Sequence, residues 1–70
     1  MIKMSVLIFD IPRDNNTLEK RVNRELRRMD AKMLQHSVWS LDNLQDLIDV
    51  AMEIKQSGGS ARILEERFLF

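Results

Sequence analysis

The chain has no cysteine, a single histidine and no net charge, and each shortage removes a class of protein. Without cysteine, no disulfide can brace the fold. With His36 alone, no Cys/His set exists for a structural zinc ion. No apolar run approaches the roughly 20 residues that cross a bilayer. The apolar start, residues 1–9, is broken by Lys3 and stops at Asp10 without the small-residue site of a secretory signal. Phosphate-binding glycine loops are missing too, because Gly58-Gly59 has neither the following lysine nor the spacing. The expectation is a soluble, cytoplasmic protein with no membrane partner.

What is present is one domain, residues 1–70. A chain of this size buries only roughly 60% of the surface its unfolded form exposes. Small domains add disulfides, metals or a partner subunit. With the first two removed, a homodimer is expected. The eleven basic and eleven acidic side chains cancel, yet they are segregated. Residues 13–28 hold six basic and three acidic side chains, whereas residues 42–53 hold four acidic and no basic ones.

Val6-Leu7-Ile8-Phe9 reads as a strand, central in its sheet, and stopped by Asp10 and Pro12. Asn16, with Glu19 three residues on, reads as a helix N-cap and capping box. The helix is expected over 17–29, with Leu18, Val22, Leu26 and Met29 as its apolar stripe. Lys20, Arg24, Arg27 and Arg28 crowd the opposite side, flanked by Arg21. Residues 33–40 read as extended, either one strand or two turning near His36-Ser37. A second helix is expected over 42–56, burying Leu44, Leu47, Ile48, Ala51 and Met52, with Asp42, Asp46, Asp49 and Glu53 outside. Ser57-Gly58-Gly59-Ser60 stops it, residues 61–64 form a last strand, and Phe68-Leu69-Phe70 make an apolar tail. The fold class is α+β, with two helices on one face of a small antiparallel sheet. With a hairpin in the middle, it becomes the ferredoxin-like βαββαβ sandwich. The sheet's other face would then be bare, a second reason to expect a homodimer.

Asp10 is the leading candidate for chemistry. A strand-end carboxylate can bind a hard cation or position a water, and two copies brought together by a dimer would make a better magnesium site than one. The alternative is a turn residue bonded to Ile11-Pro12-Arg13. The basic face of the first helix can track phosphates, or be a solvated surface. Trp39 is read as a core or interface aromatic, or as a stacking platform. His36 and Ser37 are read as structural.

The segments "SVLIFDIP" at 5–12, "LQHSVWS" at 34–40 and "SARIL" at 60–64, with a basic helix after the first, resemble the CRISPR-associated Cas-two family. The resemblance covers nearly the whole chain in order and spacing. It implies a ferredoxin-like homodimer that binds duplex DNA or RNA in spacer acquisition, an antiviral defence, beside the Cas-one integrase. It also implies a metal-dependent endonuclease, with Asp10 of both subunits as catalytic residue and ligand to one shared magnesium ion. Phosphate contacts would fall to Arg13, Lys20, Arg24, Arg27 and Arg28. The chain departs from the family at Asp30-Ala31, where a glycine is usual, and at Trp39-Ser40, where Phe-Glu is usual. The stretch before the second helix is also shorter, which leaves the length of the third strand open. "LQHSVW" also resembles the dimerisation domain of phenylacetate-type transcriptional repressors, which is not catalytic. A toxin-like ribonuclease is a third reading of the same fold.

Overall fold

The structure, a computed structural model, describes residues 4–66. The apolar tail Phe68-Leu69-Phe70 lies outside them. The order is β1 (Met4–Asp10), α1 (Asn16–Arg28), β2 (Lys32–Gln35), β3 (Val38–Leu41), α2 (Leu44–Gln56) and β4 (Ser60–Glu66). The four strands form one antiparallel-paired sheet in the order β2-β3-β1-β4, compatible with the ferredoxin-like arrangement. The extended segment expected over 33–40 is thus two short strands that together reach from Lys32 to Leu41, and the chain turns at His36-Ser37.

β1 is central, as its apolar run implies, but its two faces differ. Ser5, Leu7 and Phe9 are buried under the helices, with Trp39 and Leu41 of β3 beside them. Val6, Ile8, Val38 and Leu64 share the opposite face, where Ile8 is 37% and Leu64 51% exposed. No described helix covers this second face. The two rims of the sheet also differ. β2 is four residues long and bulged at Leu34, between the Met33–Trp39 and Gln35–Val38 pairs. β4 pairs with β1 over seven residues without interruption.

Both helices start and stop by the same devices. Asn15 caps α1, its side chain accepting the Leu18 N–H at 3.2 Å, and Asn43 caps α2 through the Asp46 N–H at 3.3 Å. The cap of α1 is therefore Asn15 and not Asn16, and the expected box with Glu19 does not form. The N-cap carboxamide must reach the third N–H along, which from Asn15 is that of Leu18. At the other end, Ala31 N–H donates to Leu26 O and Asp30 N–H to Arg27 O. Gly59 N–H donates to Ile54 O, and Gly58 N–H to Lys55 O, in the same pattern. Both are Schellman closures, which place one residue in the left-handed region: Asp30 at φ 60° and Gly58 at φ 95°. Asp30 thus performs, with a Cβ, the task for which glycine is favoured. Asp30→Gly is expected to stabilise the domain by about 0.5–1 kcal/mol, measured by urea melts.

The buried face of α1 is as expected: Leu18, Val22 and Leu26 are enclosed, and Met29 packs at the margin. That of α2 is not. The residues that face the core are Leu47, Val50, Ala51 and Ile54, while Leu44 and Met52 are about half exposed. α2 carries two overlapping apolar rows, and the one centred on Leu47 faces the sheet. The helix begins at Leu44, so Asp42 precedes it, and Asp46 and Glu53 turn toward half-buried positions instead of an open acidic face. Trp39 is a core residue, 2% exposed, with its indole N–H donating to the His36 carbonyl at 3.2 Å. That bond ties down the hairpin turn.

Candidate functional site

The sequence candidates fall in two places. Lys20, Arg24 and Arg27 lie on the solvent side of α1, opposite its buried stripe, and with Asn23 they line a groove of ≈ 370 Å³. All three cations are exposed, and no acidic side chain lines the groove. Arg13 stands apart from it, in the turn closed by Asn15 N–H donating to Pro12 O at 3.0 Å. Arg28 is exposed but does not line the groove, and its charge acts on Glu25. Of the five residues named as phosphate contacts, the structure brings three together.

Arg21 is excluded from this set by its own partner. Its guanidinium pairs with Glu53 of α2, which joins the two helices. A half-exposed pair of this kind contributes about 0–1 kcal/mol. Glu25 sits in the same cluster. Burial pushes its carboxyl above the ordinary 4.5, the nearby Glu53 carboxylate adds to the rise, and Arg21 and Arg28 oppose it. A carboxyl raised in the folded state favours folding while protonated. That contribution is complete below the ordinary glutamate value and is lost as pH rises through the raised one. Glu25→Gln should therefore gain stability over wild type as pH climbs from acid to neutral, a difference read from thermal melts across that range.

Asp10 is the second place. It is the last residue of β1, exposed, and opposite Ser60 in the β1–β4 ladder. Its carboxylate takes part in no ion pair or side-chain hydrogen bond among the described residues. The turn after it is closed by backbone atoms of Pro12 and Asn15, so the turn-residue alternative has no bond to support it. Together with Lys55, Ser60 and Arg62, Asp10 lines a pocket of ≈ 250 Å³. These neighbours escaped sequence reading because they arrive through strand register and helix termination; Ile8 faces Arg62, and Asp10 faces Ser60. The one signal was Gly58-Gly59, whose turn returns the chain to the end of β1.

The magnesium ion implied for Asp10 fits one chain poorly. No group of three or more His, Asp or Glu that would hold a metal occurs among the described residues. Magnesium takes one or two carboxylates with near-octahedral geometry, and here the single carboxylate shares its pocket with two cations. No helix among the described residues is long and apolar enough to cross a membrane. No protein-family model matches the chain, and no curated protein matches it.

Proposed function

We propose that this chain is a Cas-two-like subunit: a ferredoxin-like homodimer of the cytoplasm that binds a nucleic-acid duplex through α1 in CRISPR spacer acquisition, beside a Cas-one integrase. The observation that carries the binding is the groove of Lys20, Arg24 and Arg27, three cations on one exposed helix face with no ion pair among the described residues. Such a face gains affinity by releasing counterions from the phosphate backbone. The dimer is supported by the open apolar face of Val6, Ile8, Val38 and Leu64, on a domain too small to waste core.

Magnesium-dependent phosphodiester hydrolysis belongs to this reading through the resemblance alone, with Asp10 from two subunits around one ion. It depends on the dimer, because one chain supplies a single carboxylate. Duplex binding that weakens steeply with salt tests the scaffold; no binding at low salt would sink it. Hydrolysis is checked by comparing wild type with Asp10→Asn, in magnesium and in chelator. Equal activity in the two proteins would assign cleavage to a contaminant. The open sheet face also favours a second reading, a dimerisation module of a transcriptional regulator without nucleic-acid chemistry. A stable dimer that ignores duplexes at every salt concentration would select it.

A further inference from the structure

The pocket at the end of β1 draws its polar lining from three elements: Asp10 closes β1, and Lys55 in the last turn of α2 and Ser60 and Arg62 at the start of β4 come from one stretch more than forty residues further on. What brings them together is the tight exit from α2. Gly59 has no side chain where a Cβ would stand 2.7 Å from the Asp10 carbonyl oxygen and 2.7 Å from Ile54 Cγ2. The backbone of β4 can therefore start against the end of β1, and Lys55 is carried alongside. The register then sets Arg62 diagonal to Asp10 on the open face of the sheet, within reach of a long side chain.

In a single chain the charges of this pocket have the wrong sign for a cation. Lys55 and Arg62 outnumber Asp10, all three are exposed, and none is ion-paired among the described residues. A divalent metal ion there would meet one ligand and two like charges. A phosphate would meet a guanidinium fork, an ammonium and the Ser60 hydroxyl, all of them donors. We propose that this pocket binds a phosphate group, with Arg62 and Lys55 as its principal contacts and Ser60 as a third donor. Asp10 stands beside the bound group and weakens its hold by like-charge repulsion. This site is separate from the α1 groove and does not depend on it.

The test titrates inorganic pyrophosphate, with chelator present, into isotope-labelled protein and follows backbone amide shifts. The shifts should centre on Asp10, Ser60, Ala61 and Arg62. Affinity should fall about tenfold in Arg62→Gln and in Lys55→Gln. It should rise about threefold in Asp10→Asn, as expected for a single charge removed nearby in a watery setting. Circular dichroism verifies the fold of each variant, and Arg62→Lys, which keeps charge but loses the fork, should fall between wild type and Arg62→Gln. Shifts centred instead on Lys20, Arg24 and Arg27 would overturn the proposal. So would unchanged affinity in both cation variants, or weaker binding in Asp10→Asn.

Short duplexes with and without a 5′-phosphate identify the source of the group. A preference for the phosphorylated duplex that Arg62→Gln abolishes supports a strand terminus. Equal loss with both duplexes supports an internal phosphodiester, and pyrophosphate binding alone supports a free small phosphate. A protein that binds pyrophosphate at Arg62 and no duplex would refute the duplex scaffold while leaving this site intact.

Discussion

Replacing Arg24 and Arg27 together by alanine is expected to weaken duplex binding about a hundredfold at 100 mM salt, and to flatten its salt dependence. Each phosphate neutralised contributes about −0.9 to the slope of log affinity against log salt. The two residues supply two contacts per subunit, so the slope should change by about 2 when one subunit touches the duplex, and by about twice that when both do. Neither arginine reaches the core, since both are exposed on the side of α1 away from Leu18, Val22 and Leu26. The variant should therefore melt as wild type does. Arg21→Ala is the internal control. Its guanidinium is already engaged by Glu53, so its removal should change the slope far less. Parallel slopes for wild type and the double variant would remove the groove from the interface.

The second large effect is on stability. Gly59→Ala is expected to destabilise the domain by about 3 kcal/mol, lowering the melting temperature by about 15 °C. The added methyl would meet a backbone oxygen of β1 and a side chain, Ile54, that is wholly buried. Neither can retreat cheaply. Nor can Gly59 withdraw, because its N–H holds the Ile54 carbonyl at 2.9 Å. Against a total stability of roughly 4–10 kcal/mol for a chain of this size, the loss is a large fraction. Gly58→Ala is the contrast. Nothing lies within 4 Å of its Cβ position, but φ 95° is unfavourable for any side chain, at about 1 kcal/mol. Urea melts should rank Gly59→Ala below Gly58→Ala; the reverse order would mean that the β4 start can shift away from β1.

Most of the element order was legible because most elements are announced locally; residues 33–40 read equally as one strand or two, and only the structure resolves them into β2 and β3. Asp10-Ile11-Pro12 ends a strand, an asparagine pair opens the first helix, and Gly58-Gly59 closes the second. Local signals fail where two solutions satisfy them equally. Asn15 and Asn16 are the same residue one step apart, and Glu19 favoured the wrong one. On α2, Leu44, Ile48 and Met52 repeat as regularly as the row through Leu47 and Ala51. Only docking against Leu7 and Phe9 decides between them, and it selects Val50 and Ile54. The basic face of α1 was legible because a helix carries its own periodicity. Arg21 is drawn away from it by Glu53 of α2, which α1 cannot report. The surroundings of Asp10 were the least legible part. Lys55 and Arg62 lie more than forty residues away along the chain, and their arrival depends on the absence of one methyl group at Gly59.

The unequal rims of the sheet bear on how far this domain can polymerise. A strand added beside β2 would have to follow a bulge at Leu34 and would find only four residues to match. A strand added beside β4 would find seven regular ones. Edge-to-edge growth is therefore one-sided. If two copies meet antiparallel through β4, each consumes the other's extendable rim, and what remains outward is the bulged strand at both ends. Such an assembly terminates itself at two copies, where a sheet with two regular rims would continue as a fibre.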